Sequence, residues 1–285
     1  MQPTQIGIST NIFDDPADMA TLVRNLSESF TTIEIEMERN ARKLFDERQD
    51  LWASQRRALL ALKEERGLFY SMHGPYLGTD ADLASSDKVT RMAAVDYLSC
   101  YIDEASLLGI PLITFHPGFL ECDDRGVTQF SFEYLVHSLE TLQRRAKECG
   151  VELLLENTGP DRPSYIVLND AQQHELHESL GIVMTLDIVH FHAFHAAHPW
   201  DEYWNKIENM LPYVRNAHFN DLQGATHEHL PLGKGDFDYA AFNERLSRLG
   251  YRGNFIIEER GGGFLPEAYV KAGKHYINTL AARES

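Results

Sequence analysis

The stretch VELLLE, Val151 to Glu156, decides how this chain is read. Side chains alternate between the two faces of a β-strand, so Val151, Leu153 and Leu155 share one face and Glu156 falls on the other. In a closed barrel one face meets the surrounding helices and the other points inward. Three more runs have the same phase. In IVMTLD (182–187), Ile182, Met184 and Leu186 oppose Thr185 and Asp187. In PLITFH (111–116), Ile113 and Phe115 oppose Thr114 and His116. In LFYSMH (68–73), Leu68, Tyr70 and Met72 oppose Ser71 and His73. Four strands therefore end on an inward ionisable group at their carboxyl end, where barrel enzymes place their chemistry.

The same kind of run recurs along the chain as IGIST (6–10), TIEIE (32–36), VRNAHF (214–219) and NFIIE (254–258). Amphipathic helical stretches lie between the runs, among them 89–109 and 132–150, each closing on a glycine, a common helix stop. Eight runs, each followed by a helix or a long loop, predict a single-domain (β/α)8 TIM barrel over 1–285. A doubly wound open sheet is the alternative. It is the weaker one, because no GxGxxG follows the first strand.

Composition narrows the partners. Apolar residues make up 43% of the 285, enough for a large core, and 26 basic against 43 acidic residues give a net charge of −17. Such a chain repels phosphate backbones and anionic lipids unless its basic groups are concentrated. The densest basic cluster, RQDLWASQRR (48–57), is interrupted by apolar and acidic residues and reads as a helix surface. No apolar run approaches membrane-spanning length, and the N-terminus lacks a signal-peptide pattern. Cys100, Cys122 and Cys149 are scattered without a CxxC, against a disulfide framework or a thiolate zinc site. The expectation is a cytoplasmic protein with a small-molecule substrate and no nucleic-acid or membrane partner.

Gathered at one rim, the inward strand-end groups are His73, His116, Glu156, Asp187, His218 and Glu258. His190 follows Asp187 by three residues, and His227 and His229 lie in the loop after the seventh strand. Imidazoles and carboxylates without thiolates suit a divalent cation such as Zn, Mn, Co, Fe or Mg. In the histidine-rich stretch DIVHFHAFHAAH (187–198), Asp187 and His190 fall at the strand end and are read as functional. His192, His195 and His198 lie further on and are read as solvated or hydrogen-bonded, as are His137, His174, His177 and His275. Glu34 and Glu36 share the inward face of the second strand, which leaves interior hydrogen bonding and substrate contact both open. Phe255 and Ile257 suit the helix-facing side of the last strand, so Glu258 rather than Glu259 points inward. Lys234 and Arg260 are the candidate anion contacts, with RGGGF (260–264) readable either as an anion cradle or as a plain glycine turn.

In order and spacing, HGPY (73–76), HPG (116–118), LLEN (154–157), DIVH (187–190), HFND (218–221) and HLPLGKGDFD (229–238) resemble the xylose isomerase-like, or AP endonuclease family 2, TIM barrels. The resemblance covers nearly the whole chain and implies two designs. In the isomerases, epimerases and some dehydratases, one divalent ion is held by residues matching Glu156, Asp187, His218 and Glu258, and the two glutamates also transfer protons. In endonuclease IV, three zinc ions use nine ligands. Eight of those types recur as His73, His116, Glu156, Asp187, His190, His218, His229 and Glu258, while His227 stands where that enzyme has Asp. Under the first design, His73, His116 and His190 are free to contact substrate.

Three functions follow from these residues. The first is a metal-dependent isomerase or epimerase, or a closely related dehydratase. It would act on a small polyhydroxylated carbonyl compound through an enediolate or enolate, with one ion, and with homo-oligomers common among such relatives. The second is an endonuclease IV-like multinuclear zinc phosphoesterase with up to three ions. The third is a non-catalytic binding barrel, against which intact Glu156 and Glu258 argue.

Overall fold

The computed structural model describes residues 5–13, 18–120, 122–123, 126–127, 131–159, 165–226 and 229–284. Its centre is a closed barrel of eight parallel strands. They are β1 (Ile6–Ser9), β2 (Thr32–Glu36), β3 (Phe69–His73), β4 (Leu112–Phe115), β5 (Glu152–Glu156), β6 (Val183–Asp187), β7 (Val214–His218) and β8 (Asn254–Ile257). Each pairs with its successor in sequence, and β8 closes the barrel by pairing Ile6, Gly7 and Ile8 of β1 with Phe255, Ile256 and Ile257. The expected (β/α)8 architecture is the one observed. Its strands are trimmed by a residue or so at their ends, so that His116 and Glu258 stand just past β4 and β8.

The return segments are α1 (Met19–Leu26), α2 (Arg39–Glu47) and α3 (Gln49–Arg66), α4 (Lys88–Leu107), α5 (Phe132–Cys149), α6 (Asp170–Leu180), α7 (Ile188–His195) and α8 (Trp200–Met210), α9 (Tyr239–Arg248) and α10 (Pro266–Glu284). The cluster at 48–57 lies on α3, as its mixed pattern predicts. Cys122–Asp123 and Gly126–Val127 form a small antiparallel hairpin that the apolar pattern did not foretell, because two-residue strands carry no periodicity. Gly150 ends α5 at φ 69° with open space where a Cβ would stand, so the left-handed conformation is what calls for glycine there. No helix among the described residues is long and apolar enough to cross a membrane.

Two apolar regions follow from strand alternation. The outward set, including Ile113, Phe115, Leu153, Leu155, Met184 and Leu186, joins the helices in the main core. The inward residues near the strand beginnings, Leu112, Leu154 and Val183 with Phe69 beside them, form a separate apolar plug. Above it the interior turns polar. Thr114 Oγ1 meets Thr185 Oγ1 at 2.7 Å, and Ser71 and Asn216 donate to Glu34 at 3.0 Å each. The ionisable residues form the next layer, so the barrel has a dry floor, a hydrogen-bonded middle and a charged rim.

Candidate functional site

Glu156 is the centre of the rim. Its Oε2 lies 2.9 Å from His73 Nε2 and 3.3 Å from His116 Nε2. Its Oε1 faces the other way, 3.3 Å from His218 Nδ1 and 3.6 Å from His190 Nδ1. One carboxylate thus bridges residues from β3 and β4 to residues from β6 and β7. Asp187 caps α7 by accepting the His190 N–H on Oδ1 at 2.7 Å, which aims Oδ2 at the cluster, 3.9 Å from His218 Nδ1. Glu258 Oε2 approaches the same nitrogen at 3.6 Å. All of these residues are buried.

The imidazoles are oriented by partners behind them. His218 Nε2 faces Glu34 Oε1 at 3.0 Å, which leaves Nδ1 as the nitrogen turned to the cluster. His73 Nδ1 donates to the Gly74 carbonyl at 2.8 Å, and His190 Nδ1 to the Asn157 carbonyl at 2.9 Å. Glu34 therefore takes the interior hydrogen-bonding role of the two left open.

Two asparagines that the sequence reading passed over hold the strand ends in place. Asn157 Nδ2 donates to the Asp187 carbonyl at 2.9 Å, and Asn157 Oδ1 accepts the Asp187 N–H at 2.8 Å. Asn220 does the same across β7 and β8, donating to the Glu259 carbonyl at 2.8 Å and accepting the Glu258 N–H at 3.1 Å. Each side chain continues the ladder where the backbones diverge. Their place directly after Glu156 and two residues after His218 was the available signal. Asp221 accepts the Leu222 and Gly233 N–H groups and so shapes the loop after β7 rather than pointing to the cluster.

Burial and charge set the protonation pattern. Burial alone would raise Glu156, yet the His218 and His116 imidazoles hold it well below the usual carboxylate range. Glu258 is pushed well above that range by burial, reinforced by Glu156 and Glu259. Against the opposing effect of burial, Glu258, Glu156 and Glu34 raise His218 well above the ordinary imidazole value. Glu36 and Glu156 likewise raise His73, to about 10. Burial lowers His116. Two neighbouring glutamates pushed in opposite directions are a pattern suited to acid–base work.

Four groups of side chains could hold a cation, each with its ligand atoms within 4.8 Å of one another. They are Glu156, Asp187, His218 and Glu258; His73, His116 and Glu156; Asp187, His190 and His229; and His229, Glu258 and Glu259. The donor chemistry fits a divalent ion. Glu156 Oε1, Asp187 Oδ2 and His218 Nδ1 are buried without a hydrogen-bond partner among the described residues, an expensive arrangement unless a cation takes that place.

The other expected residues separate from this cluster. His227 lies outside the described residues. Lys234 is exposed on the loop after β7. Arg260 is half-buried beside the glycine turn, where Gly262 and Gly263 adopt φ of 59° and 71° and the Gly261 N–H is taken by the Tyr269 hydroxyl at 2.8 Å. That occupied amide favours the plain turn over the anion cradle. His192 and His198 contact Tyr203 and Glu202, His137 pairs with Glu140, and His177 stacks on Tyr213, in keeping with their hydrogen-bonded or solvated reading.

Fold and rim together define a (β/α)8 barrel with a buried histidine–carboxylate cluster at the carboxyl ends of its strands. The chain belongs to the xylose isomerase-like TIM-barrel family, whose model matches residues 23–280. An uncharacterised protein of Methanocaldococcus jannaschii is 26% identical over 252 residues, spanning 86% of this chain and 88% of its own. Among solved structures, a D-tagatose 3-epimerase-like protein superposes with TM-score 0.76 at 20% identity, covering 99% of this chain and 100% of that one. An L-ribulose 3-epimerase gives 0.73 at 20% identity, with 98% and 94% covered. A D-psicose 3-epimerase from Clostridium cellulolyticum H10, solved with D-tagatose, gives 0.74 at 17% identity, with 97% and 98% covered. At these identities the likeness is one of fold.

Proposed function

We propose that this protein is a divalent-metal-dependent isomerase or epimerase of a small polyhydroxylated carbonyl compound, with dehydration a close variant. The observation that carries the reading is the convergence of Glu156, Asp187, His218 and Glu258, buried and with ligand atoms within 4.8 Å of one another. The names of the superposing structures, all ketose 3-epimerases or proteins like them, support the same substrate class. Those four residues would hold the ion, which when bound supplies Lewis-acid polarisation of the substrate oxygens.

The chain's own residues do the rest. Glu156 and Glu258 exchange protons with the carbon beside the carbonyl, one removing a proton and the other returning one. Glu34 keeps the His218 ring fixed while charge changes around it. The Asn157 clamp holds Asp187 and the Asn220 clamp holds Glu258 at their strand ends. The apolar plug below excludes water from that side of the barrel.

A multinuclear phosphoesterase is the second reading, favoured by the way Glu156 divides its two oxygens between His73 with His116 and His218 with His190. The net charge of −17 argues against a nucleic-acid substrate under that reading, and a small phosphoester suits it better. Elemental analysis of the purified protein separates the two: one tightly bound ion per chain supports the isomerase, and two or three support the hydrolase. Turnover assays on ketoses, keto-inositols and phosphomonoesters complete the comparison. Glu156→Gln is expected to abolish turnover while leaving the fold largely intact, and a variant with normal turnover would remove Glu156 from the mechanism.

A further inference from the structure

Six of the eight strand ends carry the candidate ligands and proton carriers, from His73 on β3 round to Glu258 after β8. The remaining two, β1 and β2, carry a different pair. Ser9 accepts the Asn11 N–H on its hydroxyl at 3.2 Å and starts a single 3-10 turn that places Asn11 at the rim. The Thr10 hydroxyl accepts the Glu36 N–H at 2.9 Å and ties that turn to the end of β2. The turn that carries Asn11 is thereby held against the end of β2, and Glu36 stands in register with His73.

Both side chains are more than nine-tenths buried, Asn11 at 8% exposure and Glu36 at 5%. Among the described residues, Asn11 Nδ2 and both Glu36 oxygens have no hydrogen-bond partner. His73 does not satisfy Glu36. Its Nδ1 is 3.9 Å away, beyond hydrogen-bond length, and already donates to the Gly74 carbonyl. A buried carboxyl with both oxygens unpartnered and a buried amide with an unpartnered donor are each costly to keep unless a partner arrives. The missing partner must both donate and accept over a short span. Hydroxyl groups do so.

The geometry points to Asn11 and Glu36 as a subsite for substrate hydroxyls, on the sector of the barrel mouth that the cation-binding residues leave free. It rests on the reading of the substrate as a polyhydroxylated compound, and deepens it by naming the groups that recognise the hydroxyls. Tyr76 adjoins this sector. Its ring stacks on His116 at 4.7 Å, and its phenol lies in the combined field of Glu36, Glu258 and Glu259. The phenol thus lies within the electrostatic reach of both Glu36 and Glu258.

The test uses the full-length, metal-loaded protein with two unreactive polyols, xylitol and D-sorbitol, titrated calorimetrically, and runs the ketose turnover panel in parallel. Glu36→Gln and Asn11→Ala are each expected to weaken polyol binding roughly 10–100-fold, the scale of a lost hydrogen bond to a charged or buried group. In turnover, KM rises by the same factor with a smaller change in kcat. Bound metal is unchanged, and the melting temperature of Glu36→Gln stays level, because the amide keeps the shape of the buried carboxyl. Variants that bind polyol as tightly as wild type overturn the subsite even when ketose turnover is normal, and so does a wild-type protein that binds neither polyol. Polyol binding that depends on Glu36 without turnover of any ketose supports the subsite and counts instead against the isomerase reading. Should Glu36→Gln fail to fold, Asn11→Ala decides alone.

Discussion

Replacing Asn157 by alanine removes one side chain and two hydrogen bonds, and its consequences follow from the geometry. The Asp187 N–H and carbonyl lose partners at 2.8 and 2.9 Å. Each buried backbone group left unpaired costs about 1–3 kcal/mol, and because Asn157 is half-buried, water recovers part of this, leaving about 2–4 kcal/mol for the pair. At about 2.1 cal/mol/K per residue, the unfolding entropy of 285 residues is roughly 600 cal/mol/K, so the melting temperature should fall by roughly 3–7 °C. The second effect lies in the cluster. Asp187 is presented by the strand end that Asn157 clamps, and loss of such an outer support weakens cation affinity by roughly 10–100-fold. Calorimetric melting combined with a competitive metal titration reads both quantities. Asn220→Ala, acting on Glu258 and Glu259, should reproduce them from two strands further round the barrel. An Asn157→Ala protein with wild-type melting and wild-type metal affinity would refute the clamp.

Two further predictions concern stability alone. His177 is stacked on Tyr213 at 4.0 Å and held below its ordinary value of 6.5 by burial, with His195 lowered in the same way to about 4. Below about pH 6.5 these two histidines take up protons in the unfolded chain that they refuse in the folded one, so their contribution to stability is full above that pH and declines as pH falls. Wild-type melting should lose more between pH 7 and 5 than that of His177→Phe, since the opposing trend from the raised Glu258 carboxyl is common to both; equal slopes would acquit His177. Gly74 follows His73, and a Cβ there would stand 2.0 Å from Phe115 Cε1. Gly74→Ala should therefore cost about 1–3 kcal/mol by overpacking, read as a lower urea midpoint at unchanged slope.

Part of this site was legible before any coordinates. The alternation in VELLLE and IVMTLD sends Glu156 and Asp187 inward because a strand has a two-residue period, whatever surrounds it. HGPY and HPG could be aligned with a family pattern for the same reason, since each keeps its ionisable group at a strand end. The glycine stops of α4 and α5 were equally local. Glu34 and Glu36 were not separable by these means. Two residues apart on one face, they have the same sequence character, yet one is ringed by Ser71, Asn216 and His218 while the other has no hydrogen-bond partner among the described residues. The difference comes from residues 37, 182 and 184 positions away.

The sequence alone determined the barrel, the inward phase of its strands and the residue types at its rim, because periodicity and spacing act over a few residues at a time. Only the tertiary structure decided that Glu156 turns one oxygen to each half of the cluster, that Asn157 and Asn220 clamp the strand ends, and that Thr10 ties the turn carrying Asn11 to Glu36. Those arrangements depend on barrel closure, which brings β1 against both β2 and β8. Distances across a closed ring are set by all eight strands together and are written in no single one of them.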